Sequence, residues 1–264
     1  MQITAHTPTV LGVDTEMLSA ALDNSLINAT VGRYWRVSVV ELTGSTQSDL
    51  VTSARTGTAE AGDVIVANYQ SVGRGRLTRN FDAPSGSALL FSLYIQPQRS
   101  VEDWGYIPLL AGTSVARVLS DFGAKLKWPN DVLIKDKKVA GLIAEVVDDG
   151  IVIGIGINVG MQVHQLPVPT ATSLLIEGAR AITRNQLLVE FLNDFEEKFF
   201  AWDGGSDDVR GEYLNLSATV GREVRVEYPD GKSESGLAVS ISSTGELVLA
   251  SGVHVQAGDI VHLR

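Results

Sequence analysis

Short apolar runs and amphipathic stretches alternate along most of the chain, then give way beyond residue 217 to strands and turns alone. Met17, Leu18, Ala21 and Leu22 recur at helical spacing and predict one helix over 14–25, with Asp14 placed to cap it. Tyr34 to Val40 reads as a strand. The hydroxyls of Thr43, Ser45, Thr46 and Ser48 then suit the start of a helix running to about Arg55, by capping it or by meeting a ligand. Asp63 to Ala67 is a short buried strand. Leu89, Phe91, Leu93 and Ile95 alternate along a longer one, with Leu90 and Tyr94 on its other face. Ile107, Leu110, Val115, Val118 and Leu119 form the apolar face of a helix predicted over 101–122, and Pro108 belongs in its first turn because it lacks a donor.

In the second half, Pro129 pushes Trp128 out of helical geometry, so a strand ends there and Asn130-Asp131 turns into the next. Lys135 to Lys138 forms a polar hairpin tip, and Val139 to Val147 returns as a strand. Residues 150–159 are an apolar strand with Gly154 and Gly156 on one face. Glycines there weaken a strand unless a helix or a flat ligand packs on bare backbone. Thr183 caps a helix over 184–202 whose Leu187, Leu188, Phe191, Leu192, Phe195 and Phe199 point inward, and Gly204-Gly205 ends it. A short helix is predicted near 207–216, followed by strands at 223–228, 234–241, 246–249 and near 260–261. The pattern divides the chain into an N-terminal arm and helix (1–36), a large domain (37–216) and a small β-barrel (217–264).

Composition narrows the function. With no cysteine among 264 residues, disulfides, thiolate metal sites and cysteine nucleophiles are excluded. A formal net charge of -10 argues against sequence-independent nucleic acid binding. No secretory signal or membrane-length apolar run is visible, which makes the cytoplasm the default location. Against this acidic background, Gln70-Ser71-Val72-Gly73-Arg74-Gly75-Arg76-Leu77-Thr78-Arg79 stands out. Its guanidiniums suit carboxylate or phosphate oxygens, and its glycines let the backbone approach a ligand. A solvated basic turn is the plainer alternative. Because three clustered cations lack a counter-anion, residues 71–80 are expected to be disordered without ligand. Lys138 is either solvated or reaches into a site. Asn158, at a strand end, suits a base edge. The Gly154-x-Gly156-x-Asn158 run lacks the spacing and following helix of a dinucleotide fingerprint.

Four stretches taken in order resemble the biotin protein ligases: Gly73-Arg74-Gly75-Arg76-x-x-Arg79, Lys127-Trp128-Pro129-Asn130-Asp131, Lys138-Val139-Ala140-Gly141-Leu142-x-x-Glu145 and Gly154-Ile155-Gly156-Ile157-Asn158. Coverage runs from about Val37 to the C-terminus. The resemblance implies an α+β fold: a mixed-sheet catalytic domain of the biotin/lipoate ligase type followed by an SH3-like β-barrel. It implies an ATP-dependent ligase that forms biotinyl-5'-AMP and passes the biotinyl group to a lysine of a biotin carboxyl carrier domain of an acyl-CoA carboxylase, with Mg²⁺ required. By the same resemblance Ser45, Thr46, Gln47, Gln70, Gly73, Arg74, Lys138 and Gly141 hold biotin. Arg76, Arg79, Lys127, Asn130 and Asn158 meet ATP or the adenylate, Asp131 meets magnesium, and Arg76, Arg79, Lys138 and Asp131 carry the catalysis. Leu77-Thr78 departs from the glycine or basic residue common in the family, and Phe81 stands where an indole is frequent. Only about 37 residues precede the matched region, which points to the monofunctional form, a monomer or weak homodimer without nucleic acid or membrane partners. Two alternatives are a lipoate-type ligase of the same fold and a biotin-responsive DNA-binding regulator. The arginine loop disfavours the first, and the missing helix-turn-helix disfavours the second.

Overall fold

A computed structural model describes residues 15–76, 79–206 and 208–263. Seven strands form one sheet: β1 (Arg36–Thr43), β2 (Asp63–Gln70), β3 (Ala88–Ile95), β4 (Lys125–Lys127), β5 (Asp131–Ile134), β6 (Lys137–Val147) and β7 (Gly150–Asn158). Their order is β1-β2-β3-β7-β6-β5-β4. Among the described residues the β1–β2 strand pair is parallel and the other strand pairs of this sheet are antiparallel, so the sheet is mixed. The central strands β3 and β7 are buried along their whole length, which explains why they read as nearly unbroken apolar runs. Lys135 and Asp136 take positive φ (49° and 60°) at the tip of the β5–β6 hairpin, the geometry that a tight two-residue connection demands.

The helices are α1 (Thr15–Leu18), α2 (Asn24–Thr30), α3 (Thr46–Arg55), α4 (Ile107–Val118), α5 (Arg184–Asp203) and α6 (Asp208–Leu216). Ser45 caps α3, and Thr183 with Gln186 forms a reciprocal capping box on α5. All six apolar residues expected to face inward from α5 are buried. Three lie at i, i+4 spacing and stack: Phe191 on Phe195 at 5.6 Å, and Phe195 on Phe199 at 6.0 Å.

Two predicted helices are interrupted. The helix expected over 14–25 is instead α1 and α2, and Asp14, its expected cap, lies outside the described residues. The intervening backbone is claimed by the start of α5. Arg184 donates to the carbonyl of Ala20 (2.9 Å), Asn185 donates to that of Ala21 (2.9 Å), and Asn185 Oδ1 accepts from the Asp23 N–H (2.9 Å). Asp23 then caps α2 through the Leu26 N–H. The helix expected over 101–122 is α4 flanked by two 3₁₀ turns, with Pro108 in the first turn of α4 as anticipated.

After α6 the chain forms a five-stranded antiparallel domain from β8 (Glu223–Glu227), β9 (Ser233–Ile241), β10 (Leu247–Leu249), β11 (His254–Val255) and β12 (Asp259–His262), ordered β11-β10-β9-β8-β12. β11 is too short to announce itself in the sequence. Val224, Val226, Ile241, Leu247, Leu249, Val255 and Ile260 fill its interior. Among its contacts with the main domain is Trp128, which is 2% exposed and donates from its indole to the Gly245 carbonyl.

Arg184 is fully buried, and burial pushes its guanidinium below the ordinary range, with Glu41 opposing. It joins α5 to the Ala88 carbonyl at the start of β3 and to Asn68 Oδ1 at 2.8 Å in β2. Arg184→Leu would strand these acceptors and is expected to cost about 3 kcal/mol. A urea midpoint equal to that of the wild type would show that the clamp contributes nothing.

Candidate active site

A cavity of about 340 Å³ opens where the carboxyl ends of β1 and β2, the bare face of β7 and the last strand of the small domain converge. Its inner wall comes from the start of α3. Ser45, Thr46 and Gln47 are each at most 4% exposed. The Thr46 N–H donates to Gln70 Oε1 (2.7 Å), and its hydroxyl lies 2.9 Å from that of Ser92. Gln47 donates to the Val152 carbonyl, while its Oε1 is buried with no hydrogen-bond partner among the described residues. An unpartnered acceptor in such a wall is costly unless a ligand donor meets it.

The two glycines of β7 make room for this wall. A Cβ on Gly154 would stand 2.7 Å from Gln47 Oε1, and one on Gly156 would stand 2.7 Å from the Phe81 ring. Gly141 acts similarly on β6, where a Cβ would sit 2.9 Å from Lys138 Cε and Nζ. The missing side chain lets Lys138 lie across the strand and pair with Asp131 Oδ1 at 2.5 Å.

The arginine loop folds back on itself, with Arg74 bridged to Asn80 and the Gly75 N–H donating to the Arg79 carbonyl (2.7 Å). Arg74 pairs with Glu145 (3.2 Å), which also holds Arg55 (2.9 Å). Arg76 donates to Asn130 Oδ1 (3.0 Å) and lies 3.5 Å from Asp259, which also pairs with Arg79. The premise that these cations lack counter-anions is therefore wrong: Glu145 and Asp259 supply them. Leu77 and Thr78, part of the stretch expected to be disordered, lie outside the described residues. Burial pushes the Arg76 guanidinium below its ordinary range, opposed by Asp259 and Asp131.

Residues 39–162 match the Biotin/lipoate A/B protein ligase family, and residues 219–263 match the Biotin protein ligase C terminal domain. The chain is 38% identical over 255 residues to a Biotin--[acetyl-CoA-carboxylase] ligase of Mycobacterium tuberculosis, covering 92% of this chain and 95% of that one. The chain belongs to the biotin protein ligase family. A similar solved structure is the biotin protein ligase from Aquifex aeolicus in complex with biotin and ATP. Its TM-score is 0.74 at 27% identity, covering 86% of this chain and 98% of that one. The Bifunctional ligase/repressor BirA of Bacillus subtilis is 28% identical over 203 residues, covering 72% of this chain and 62% of the relative.

Of the residues singled out in this ligase, the cavity is lined by Ser45, Thr46, Gln47, Gln70, Arg74, Arg76 and Arg79, and by Lys127, Asn130, Asp131, Lys138 and Gly141. Two stand outside the lining. Gly73 packs under the backbone, where a Cβ would stand 2.2 Å from the Phe81 carbonyl oxygen, so its role here is close approach within the loop. Asn158, 5% exposed, donates to the Thr172 carbonyl (2.9 Å). One of its amide protons thus ties the end of β7 to the following loop. Sequence reasoning missed Asp259, Ile260 and Val261 of β12, because nothing in their spacing signals a partnership with a loop 180 positions away. Among the described residues there is no cluster of three His, Cys, Asp or Glu able to hold a metal ion, and no helix is long and apolar enough to cross a membrane.

Asp259→Asn removes the anion shared by Arg76 and Arg79. Such partly exposed pairs contribute little each, so cleavage by trypsin after the loop arginines of the ligand-free ligase is expected to quicken about threefold. An unchanged rate would mean that Asp259 does not restrain the loop.

Proposed function

We propose that this ligase condenses biotin with ATP to biotinyl-5'-AMP and transfers the biotinyl group to a specific lysine of a biotin carboxyl carrier domain of an acyl-CoA carboxylase. The observation that carries this reading is one cavity with a neutral, hydrogen-bonding inner wall and a cationic mouth. The buried hydroxyls and amides of Ser45, Thr46, Gln47 and Gln70 suit a small polar head, and the unpartnered Gln47 Oε1 suits a ureido N–H. Arg74, Arg76, Arg79, Lys127 and Lys138 at the mouth suit a carboxylate and a polyphosphate.

In the first step a carboxylate oxygen of biotin attacks the α-phosphorus of ATP. The bond to the bridging oxygen breaks, and pyrophosphate leaves with that electron pair. Both reactants are anions, so the cations offset their repulsion and hold them in line. Lys138, free to cross Gly141, is placed for the biotin carboxylate. Arg76, oriented by Asn130, is placed for the phosphates. In the second step the neutral amine of the carrier lysine attacks the acyl carbon, AMP leaves with the anhydride oxygen, and the nitrogen gives up a proton. No covalent enzyme intermediate is needed.

Magnesium fits this site in one manner. Asp131 shares the cavity lining with Glu227 and Asp259, but Asp259 is taken by the loop arginines and the three make no metal cage among the described residues; Asp131 instead matches an ion bound by one carboxylate together with nucleotide phosphates. Such an ion would neutralise phosphate charge.

Labelled biotin, ATP, Mg²⁺ and a purified carrier domain should yield a labelled acceptor lysine. Arg76→Ala and Lys138→Ala should each slow adenylate formation by about a hundredfold or more. Gly156→Val should abolish biotin binding by driving a side chain toward Phe81. Lipoate in place of biotin should give no adenylate. A folded wild type that produces neither adenylate nor labelled acceptor would refute the proposal, and adenylate without transfer would show that the acceptor is wrong.

A further inference from the structure

The segment Lys127 to Asp131 lines the cavity; its Asn130 end is tied to Leu142 of β6, which donates to the Asn130 carbonyl (3.0 Å) and accepts from its amide (2.8 Å), and its Trp128 end is held by the small domain and its approach. Leu126 bridges Ser217, and the Ala218 N–H donates to the Leu126 carbonyl (2.7 Å). The Trp128 indole donates to the Gly245 carbonyl (2.9 Å), and the Trp128 backbone N–H donates to Thr219 Oγ1 (3.1 Å). Thr219 is fully buried, and its hydroxyl lies 3.1 Å from Nε2 of His262, the residue that follows the cavity-lining run Asp259-Ile260-Val261.

A hydroxyl has one proton and two lone pairs. Having accepted the Trp128 N–H, Thr219 must place its own proton in a buried setting, and His262 Nε2 is the acceptor within reach. That requires a neutral imidazole carrying its proton on Nδ1. The charged groups facing the ring support neutrality. Lys127 at the end of β4 and Arg222 just ahead of β8 disfavour a further positive charge, and Asp136 in the β5–β6 turn opposes them. Asp136 also lies 3.6 Å from Arg222. Burial of the ring is the larger cause, and with these charges it pushes the imidazole down to about 4.

We propose that His262 is a positioning residue for the nucleotide end of the active site: through Thr219 it fixes the Trp128 backbone and thereby the placement of Lys127 and Asn130. The inference rests on the reading of those two residues as nucleotide contacts. It distinguishes the chain from a ligase whose small domain merely packs against the catalytic one, because the link ends on the peptide group between the two.

The sign of its proton linkage follows. His262 binds a proton less readily when folded than when unfolded, so the contribution to stability is present above about pH 6.5 and is lost as pH falls toward 4. A purely structural contact would show that too, so the deciding readouts are others. With the full chain, initial rates of biotinyl-AMP formation are measured against ATP at saturating biotin, and against biotin at saturating ATP.

His262→Ala and the near-isosteric Thr219→Val are each expected to raise KM for ATP about fivefold while KM for biotin stays within twofold. His262→Gln, whose amide oxygen accepts without titrating, should recover most of that loss. The double variant His262→Ala/Thr219→Val should be no worse than either single one, because both break one chain of bonds. Imidazole ¹⁵N shifts of the ligand-free protein should show His262 neutral, with Nδ1 protonated, at pH 6. A wild type that forms no adenylate defeats the functional reading itself. An active wild type with unmoved KM for ATP in folded Thr219→Val, additive effects in the double variant, or a charged His262 at pH 6 would overturn this inference alone.

Discussion

Guanidinium groups cannot shed their charge, so three of them within six positions must each find an anion or water. In this ligase that requirement links parts of the chain that are remote in sequence. Glu145 of β6 takes Arg74 and Arg55, and Asp259 of β12 takes Arg76 and Arg79. The loop is thereby drawn over the cavity from two sides, one within the large sheet and one from the small domain. The same two carboxylates occupy guanidiniums that the proposed reaction needs for biotin and phosphate, so under that proposal substrate binding would be an exchange of anions.

Bare backbone is the complementary constraint. Gly141, Gly154 and Gly156 lie on adjacent strands, and each is the space into which another residue's side chain reaches: Lys138, Gln47 and Phe81. The cavity is therefore shaped as much by the side chains that β6 and β7 lack as by those they carry. The buried length of β7 bears the cost of two flexible residues because β3 and β6 pair with it along its whole extent.

Elements whose determinants are local could be read directly from the sequence. The cap on α3, the Thr183 cap on α5, the position of Pro108 and the inward face from Leu187 to Phe199 follow from spacing, and all are present. The gathering of Ser45, Gln70, Arg76, Lys127 and Lys138 around one cavity followed from motif order and the family resemblance. What escaped was set by distant partners. Arg184 and Asn185 break the first predicted helix from more than 160 positions away, Asp259 answers the arginine loop across 180, and the Thr172 carbonyl takes one donor of Asn158. Periodicity reports which face of an element is buried, but it carries no information about which remote side chain will satisfy a given carbonyl or cation.

The dependence of the site on β12 has a consequence for synthesis. The ribosome delivers the whole seven-stranded sheet, with its arginine loop and its Trp128 segment, before Thr219, Gly245, Asp259 or His262 exists. A nascent chain at that stage has the walls of the cavity but neither the carboxylate that restrains Arg76 and Arg79 nor the acceptors that hold Trp128. The site is thus incomplete until the last strand docks, and a chain truncated between the two domains would carry an indole without its carbonyl acceptor and cations without Asp259.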